Sequence, residues 1–351
     1  MNKRIAIICA GALGGHVAGY LARDQHDLTL IDMWPEHVEA IRANGLTLSG
    51  LTAAEKFTVS VNAIHLSDIH DMARKFGGFD IAFVATKSYD TIWAAHLIEP
   101  YLAPGGFVVS LQNGINEERI ASVVGWGRTV GCIASKIAVE LTEPGTIQRN
   151  VALGGAEHTV FRVGEPHGRI TDRMRYIVDI LSSIDSAVAT DNLWGERWSK
   201  LVINSMRNPV SAATGRGGNA NDRDPRTRDL ALRLAAEAIQ IGRGHGYQLG
   251  KVYGMEPDDI VAAVSGSNEA RQRCEDLLLK SAETRTDEQR PSMGQDMAKG
   301  RRTEIEYLNG LVVAKAGEIG LEAPVNAGIV EIVQRIERGE LEASPQAVAA
   351  I

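Results

Sequence analysis

Short apolar runs alternate with segments of helical periodicity along the first half of the chain. The runs at residues 4–10, 27–32 and 79–86 are rich in β-branched residues and end at glycine or polar residues, which predicts buried strands. The segment at 11–25 and the segment that ends at Gly45 have the spacing of helices. Strands that alternate with helices are typical of a doubly wound parallel sheet, so we predict an N-terminal Rossmann-type α/β domain.

The pattern changes in the second half of the chain. Short β-like runs between about 128 and 190 are expected to form the far side of the same sheet, and long helical patterns dominate from residue 191 onward. A chain of 351 residues is long for one core, at roughly 150 residues per domain. We therefore predict a dinucleotide-binding domain at 1–190 and an all-helical substrate domain at 191–351.

Two segments are expected to lie outside this regular structure. Residues 281–292 (SAETRTDEQRPS) are polar and predict a surface loop. Residues 343–351 (ASPQAVAAI) predict a loosely held end.

Composition and charge exclude several classes of partner. A hydrophobic content of 44% is ordinary for a globular enzyme, and a net charge of −7 argues against nucleic acid or an anionic membrane as partner. The three cysteines show no metal-binding or redox spacing, and no apolar run approaches a membrane span. We expect a cytoplasmic protein with no metal site.

The hexapeptide CAGALG at 9–14 resembles a dinucleotide-binding turn, G-x-G-x-x-G, in which Cys9 replaces the first glycine. Gly11 and Gly14 keep the second and third glycines, which allow close approach of the pyrophosphate and close packing of helix on strand. The cysteine is tolerable there if its φ angle is negative. The alternative is an unrelated α/β sheet with incidental glycines.

Asp32 lies at the end of the second predicted strand, about 20 residues after the turn. A carboxylate in this place accepts hydrogen bonds from ribose hydroxyls and repels a 2′-phosphate. No Arg or Lys occurs in the following segment, MWPEHVEA. We therefore expect NAD as the cofactor, with NADP as the alternative.

Five motifs together resemble the ketopantoate reductase family (2-dehydropantoate 2-reductases), from residue 4 to about 340. They are AGALG, VATKSYDT around Lys87, LQNG at 111–114, WSKLVINSMRNP, and SMGQDMAKGRRTEIEYLNG. The last two are the specific ones, because a generic Rossmann protein carries neither.

The resemblance implies a reductase that passes a hydride from a nicotinamide cofactor to the keto carbon of a 2-keto acid. It implies that Lys200 and Glu304 are catalytic, and that the substrate is bound by Asn204, Asn208, Ser292 and Asp296. It also implies that Lys87 and Asn113, with Gly114, lie along the cofactor. The turn and the second strand already give Gly11, Ala12, Leu13, Gly14 and Asp32 as cofactor-binding residues.

The residues themselves support part of this assignment. Lys200, Asn204 and Asn208 recur every four residues, so they share one face of a largely apolar helix; the alternative is a solvated face. Residues 292–295 (SMGQ) have the form of a capping box, so Ser292 is expected to cap a helix. Asp296 and Glu304, by contrast, could equally be surface acids.

Several alternatives stay open at this stage. Asp32 favours NAD, whereas biosynthetic members of this family typically use NADPH, so an NAD-dependent catabolic dehydrogenase of a branched or aromatic 2-hydroxy acid, of the D-mandelate type, is one alternative. A noncatalytic NAD-binding sensor is another, but it would not need Lys200 or Glu304. Arg207 lies two turns after Lys200; a solvated arginine is the simpler interpretation, and pairing with an anion or stacking on an aromatic ring is the alternative. The long amphipathic helices of the second half favour a homodimer.

Overall fold

The computed structural model describes residues 3–71, 78–283 and 289–351. The chain divides into two compact units, with the boundary between Leu193 and Trp194. Part of the predicted loop at 281–292, residues 284–288, lies outside the described residues, and residues 281–283 are the end of a helix.

Unit 1 contains two β-sheets. Their strands are β1 Ile5–Ile8, β2 Leu28–Asp32, β3 Leu46–Ser49, β4 Phe57–Val59, β5 Asn62–His65, β6 Phe79–Val84, β7 Leu102–Ser110, β8 Thr129–Ala134, β9 Val139–Glu143, β10 Thr146–Arg149, β11 Phe161–Gly164 and β12 Ala187–Thr190. Among the described residues the larger sheet has the order β12-β11-β8-β7-β6-β1-β2-β5. Its neighbours are parallel except β8 and β11, which are antiparallel. The predicted parallel sheet is thus confirmed, with one antiparallel pair.

The helices of unit 1 surround these sheets. Those that lie wholly within the described residues are α1 Ala12–Arg23, α2 Pro35–Asn44, α3 Thr91–Ile98, α4 Glu117–Val124 and α5 Asp172–Ser182. Gly45 ends α2 with a φ angle of 79°, as its place in the sequence predicts. In the larger sheet, β2 is the neighbour of β1 on one side and β6 is its neighbour on the other side, so the strand order reverses at β1. In open α/β sheets, ligands bind at the carboxyl ends of the strands at this kind of reversal.

The second sheet has the order β4-β3-β10-β9. The prediction that the β-like runs after residue 128 belong to the far side of the main sheet is correct for β8, β11 and β12 and wrong for β9 and β10. Strand β9 carries Glu140 and Thr142 and is only partly buried. Such a strand is unsuited to a sheet covered on both faces, and β9 pairs instead with β10, antiparallel, beside β3.

Helix α1 packs closely against both sheets. Alternate residues of β1 face opposite sides of the main sheet and all are buried, which explains its continuous apolar run. A Cβ atom at Gly15 would collide with Ile147 of β10, and one at Gly19 would collide with Leu48 of β3. The small residues of α1 therefore allow the second sheet to approach the helix.

Unit 2 is helical, as predicted. Its helices are α6 Leu193–Thr214, α7 Gly218–Arg223, α8 Pro225–Gly244, α9 Pro257–Val264, α10 Asn268–Glu283, α11 Ser292–Ala298, α12 Asn309–Glu318 and α13 Pro324–Glu337. No helix among the described residues combines the length and apolar character that crossing a bilayer requires. The expectation of a loosely held end is wrong, because the Ser344 N–H donates to the Ala213 carbonyl and Arg233 donates to the Ile351 carbonyl.

His16 is a buried histidine in the middle of α1. Its side chain is 1% exposed, and neither ring nitrogen has a hydrogen-bond partner among the described residues. Burial, and secondly the positive charge of Arg149, lower its pKa to about 3. The imidazole is therefore neutral in the folded protein at any pH above that value.

We expect the protein to lose stability as the pH falls from about 6.5 toward 3, and His16→Leu to remove part of this loss. Below pH 6.5 the unfolded chain binds a proton at His16 that the folded chain cannot bind, so the free energy of unfolding falls by about 1.4 kcal/mol per pH unit. Urea unfolding at pH 7.5 and pH 5 measures the difference, which should be about 2 kcal/mol larger in the wild type. The exposed His96→Gln is the control, and an equal pH response in His16→Leu would contradict this explanation.

Candidate active site

The turn after β1 is held by hydrogen bonds to both backbone polar groups of Ala10. The Ala10 N–H donates to Oδ2 of Asp32 at 2.6 Å, and the Ala10 carbonyl lies 3.0 Å from Nε2 of His37. The Gly145 N–H donates to Nδ1 of His37, so Nδ1 is the acceptor. Nε2 therefore carries the proton and donates a hydrogen bond to the Ala10 carbonyl. The turn is therefore held by side chains from β2 and α2.

Cys9 adopts a φ angle of 79°, which corrects the expectation of a negative value. This left-handed conformation is the one that the first glycine of the motif permits, and it costs an L-residue about 1–2 kcal/mol. A Cβ atom at Gly14 would collide with the Cys9 carbonyl oxygen and lie 2.9 Å from the Ala85 Cβ. Gly14 thus has the packing role that the motif predicts. Burial, and secondly Asp32, raise the pKa of the Cys9 thiol to about 12, which keeps it protonated.

The first turn of α1 has the properties of an anion-binding site. Gly11 precedes the helix and provides no side-chain cap, so the N–H groups of the first turn, at Ala12, Leu13 and Gly14, have no partners within the helix. A Cβ atom at Gly11 would meet nothing closer than the Cys9 Sγ, at 3.5 Å. The backbone is open to a phosphate here, so the residues present fit a dinucleotide.

Asp32 and Trp34 lie beside this turn. The Trp34 N–H donates to Oδ1 of Asp32 at 2.8 Å, so both carboxylate oxygens are anchored. The Trp34 indole is 38% exposed and stacks on the His37 ring, with centroids 5.6 Å apart. One aromatic face is thus supported from within the protein, directly next to Asp32.

Lys87 and Asn113 lie at the carboxyl ends of β6 and β7, strands that are neighbours in the sheet. The side-chain amide of Gln112 donates to the Thr86 carbonyl at 3.0 Å and to the Thr91 hydroxyl at 2.8 Å, and so joins the two turns. Gly114 has a φ angle of 73°, which explains the glycine after Asn113. The turns after β1, β6 and β7 therefore share one edge of the sheet.

In unit 2, α6 carries the polar stripe that the sequence predicts. Lys200 and Asn204 are half-buried and Asn208 is buried. The Nδ2 of Asn204 is buried and has no hydrogen-bond partner among the described residues, a donor that a ligand oxygen could satisfy. The interpretation of this stripe as a solvated face is therefore wrong.

Ser292 does not cap a helix, which corrects the expected capping box. Pro291 occupies the cap position of α11, Ser292 is the first helical residue, and the Gln295 side chain donates to the Arg290 carbonyl. The Ser292 hydroxyl instead lies 3.5 Å from Nδ2 of Asn208, at the limit of a hydrogen bond. The structure thus brings together one serine and one asparagine of the predicted substrate set.

Asp296 and Glu304 are buried, which excludes the alternative that they are surface acids. The Asp296 carbonyl accepts the Arg301 N–H at 2.9 Å, and this bond ends α11. The residue before Glu304, Thr303, donates its backbone N–H to Glu337 of α13. The backbone around both carboxylates is therefore held by hydrogen bonds within unit 2.

Arg207 is not a solvated arginine. Its side chain is 8% exposed. The guanidinium forms two hydrogen bonds of 2.8 Å to the two carboxylate oxygens of Asp222 and lies 4.5 Å from the centroid of the Tyr253 ring. Tyr253 has a φ angle of 55° and forms, with Gly254, the turn between the mutually bonded Val252 and Met255. The Asp222 carboxylate neutralises the charge of Arg207. The guanidinium lies over the Tyr253 ring and so supports this turn.

Sequence reasoning missed three residues that shape the site, His37, Trp34 and Gln112. Gln112 lies inside the LQNG motif, and Trp34 follows Asp32 by two residues. Closeness in sequence to predicted site residues could therefore have identified both. His37 has no such signal, because its partners Ala10 and Gly145 are distant in sequence.

Profiles of one protein family match both units of the chain. The profile of the family "Ketopantoate reductase PanE/ApbA" matches residues 5–161, and that of its C-terminal domain, "Ketopantoate reductase PanE/ApbA C terminal", matches residues 192–337. The chain is similar to the 2-dehydropantoate 2-reductase of Pyrococcus horikoshii, with 31% identity over 92% of this chain and 94% of the relative.

Two solved structures have the same fold. A PanE/ApbA family ketopantoate reductase from Ralstonia eutropha has a TM-score of 0.76 and 27% identity, and covers 96% of this chain and 99% of its own. A D-mandelate dehydrogenase, solved with NADH and anilino(oxo)acetate, has a TM-score of 0.77 with the same coverages. At 20% identity it is similar in fold alone.

We expect Cys9→Gly to be more stable than Cys9→Ala by about 1 kcal/mol, because only glycine relieves the left-handed conformation while both variants remove the thiol. The difference is measured by urea unfolding. NADH affinity should be similar in the two variants, since the N–H groups of α1 are unchanged. Equal stability of the two variants would show that the φ angle carries no strain.

Proposed function

The chain belongs to the ketopantoate reductase family, and we propose that it reduces the keto group of ketopantoate, a branched 2-keto acid, with a nicotinamide dinucleotide. The observation that carries the proposal is the Lys200, Asn204 and Asn208 stripe on one face of α6, with the Ser292 hydroxyl beside Asn208. A binding sensor would have no need for this set.

The chemistry requires stabilisation of a developing negative charge. A bound dihydronicotinamide supplies the hydride to the keto carbon, and the carbonyl oxygen then needs a proton. We assign this donor to Lys200, whose ammonium can stabilise the oxygen and protonate it. The buried Glu304 would orient the ammonium, since an opposite charge favours its protonated form.

The remaining polar residues would bind the substrate. The unpartnered Nδ2 of Asn204 fits a substrate oxygen, and the Asn208 amide with the Ser292 hydroxyl can hold the carboxylate and hydroxyl groups. Asp296 would accept a hydrogen bond from the substrate hydroxyl.

For the cofactor we propose a preference for NAD(H). The pyrophosphate would bind the N–H groups of Ala12, Leu13 and Gly14 at the start of α1, and Asp32 would accept hydrogen bonds from the ribose while opposing a 2′-phosphate. The exposed face of Trp34 would stack on the adenine. Lys87, Asn113 and Gly114, at the neighbouring turns, would contact the rest of the dinucleotide.

A second candidate is oxidation of another branched or aromatic 2-hydroxy acid with NAD. It is favoured by Asp32 alone, because an NAD preference suits a catabolic dehydrogenase. In that direction a neutral Lys200 would act as the base that removes the hydroxyl proton.

We also propose a cytoplasmic homodimer. Cys9, Cys132 and Cys274 form no disulfide among the described residues, which supports a reducing compartment, and the amphipathic helices of unit 2 supply a face for association. Gel filtration with light scattering measures the assembly.

We expect Lys200→Ala to lower kcat for ketopantoate by about 10²–10⁴-fold, since it removes the proton donor. Steady-state assays would use ketopantoate, benzoylformate and straight and branched 2-keto acids, with pantoate and mandelate in the reverse direction. NADH binding by fluorescence should be unchanged. The exposed Lys280→Ala is the matched control. Full turnover in Lys200→Ala would exclude this lysine, and no turnover of any acid by the wild type would favour the sensor.

We expect Asp32→Asn to lower the ratio of kcat/KM with NADH to that with NADPH about tenfold, or ~1.4 kcal/mol, because the charge that opposes the 2′-phosphate is lost. Asparagine keeps one oxygen for the bonds from Ala10 or Trp34. Asp80→Asn is the matched control, since Asp80 also accepts a backbone N–H, from Arg4, at the amino end of the sheet. A wild type that prefers NADPH would refute the assignment.

A further inference from the structure

Helix α6 contains a proline in its interior, Pro209, next to Asn208. In an α-helix the N–H of each residue donates to the carbonyl four residues earlier, and proline has no N–H. The carbonyl of Ser205 therefore loses its helical donor. This carbonyl lies between Asn204 and Asn208, in the middle of the proposed substrate-binding stripe.

The side chain of Asn309 supplies the missing donor. Its Nδ2 donates to the Ser205 carbonyl at 3.0 Å, and the Asn309 side chain is fully buried. Its own Oδ1 has no hydrogen-bond partner among the described residues. Burying a side-chain amide costs free energy unless it forms hydrogen bonds. The hydrogen bond from Nδ2 to the Ser205 carbonyl therefore explains why an asparagine occupies this buried position.

Asn309 is itself held by a buried network. The same Nδ2 donates to Oδ1 of Asn326 at 2.9 Å, and Nδ2 of Asn326 donates to Glu237 at 2.8 Å. The Glu237 carboxylate also accepts the backbone N–H groups of Val325 and Asn326 at the start of α13. The donor for Ser205 is thereby fixed by α8 and α13, so the position of α6 at its proline is set from outside the helix.

We infer that Asn309 is a positioning residue for the active site: its amide replaces the hydrogen bond that Pro209 removes and so fixes the Lys200–Asn204 part of α6 relative to Asn208. The inference rests on the proposed function, since it assumes that this stripe binds and reduces the keto acid. Asn309 lies at the end of the motif SMGQDMAKGRRTEIEYLNG and has no assigned role in the mechanism above.

The test is a double-mutant cycle between Asn309→Leu and Pro209→Ala. Alanine at 209 restores the N–H that Ser205 needs, so Asn309→Leu should then cost less, because only Oδ1 of Asn326 is left without its donor. In the Pro209 background we expect Asn309→Leu to lower kcat/KM for ketopantoate at least tenfold and the Tm by several degrees, with KM for the dinucleotide unchanged. In the Pro209→Ala background the loss should be under threefold and the Tm shift less than half as large.

The matched control is Pro225→Ala. Pro225 occupies the first turn of α8, where its missing N–H leaves no carbonyl without a donor, so this substitution should give no rescue. Folded protein from Asn309→Leu in the Pro209→Ala background alone would also support the inference. Equal losses in both backgrounds, including failure to fold in both, would overturn it.

The cycle separates this inference from the proposed function. The Tm coupling between residues 309 and 209 needs no substrate, so it is measured even if the wild type reduces no 2-keto acid. Tm coupling without any effect on kcat/KM, in an enzyme that does reduce one, would overturn the positioning role.

Discussion

The two hydrogen bonds to the backbone of Ala10 are the interaction on which the turn after β1 in unit 1 depends. Asp32 holds its N–H and His37 holds its carbonyl, and His37 is bonded in turn to Gly145, in the turn between two strands of the second sheet. Strand β2, helix α2 and the second sheet therefore meet at one peptide segment. The left-handed conformation of Cys9 and the tight approach of Gly14 both occur where the chain makes this turn.

Hydrogen bonds to buried polar groups also hold helix α6 in unit 2. Two buried polar groups of the helix are satisfied within the unit: the Arg207 guanidinium by Asp222, and the Ser205 backbone carbonyl by Asn309. Removing one partner of such a pair leaves the other buried and unsatisfied, which is costly. Polar groups can therefore line an otherwise apolar helix without loosening it.

The sequence was most informative where structure is decided locally. Strands β1, β2 and β6 are buried on both faces over most of their length, so they are mostly apolar and easy to recognise. The four-residue spacing from Lys200 to Asn208 places these residues on one helix face. The glycine turn and the family motifs then indicated a dinucleotide site and the chemistry of the polar stripe.

Prediction failed where distant partners decide the outcome. Arg207 looked solvated because its partner Asp222 and the Tyr253 ring lie 15 and 46 residues further on. Ser292 looked like a cap because its hydroxyl's neighbour, Asn208, is 84 residues away. The φ angle of Cys9 likewise depends on a turn that Asp32 and His37 hold, and no local preference of cysteine would indicate it.

The glycines of α1 also affect how the fold forms. Gly14, Gly15 and Gly19 in a helix of 12 residues each lower its intrinsic helical propensity by about 1 kcal/mol relative to alanine. Isolated helices of this length are marginal in water even when rich in alanine, so α1 as a free peptide would be largely unfolded. Its helical state depends on the two sheets that enclose it, and the row of N–H groups at its N-terminus is therefore a product of tertiary assembly.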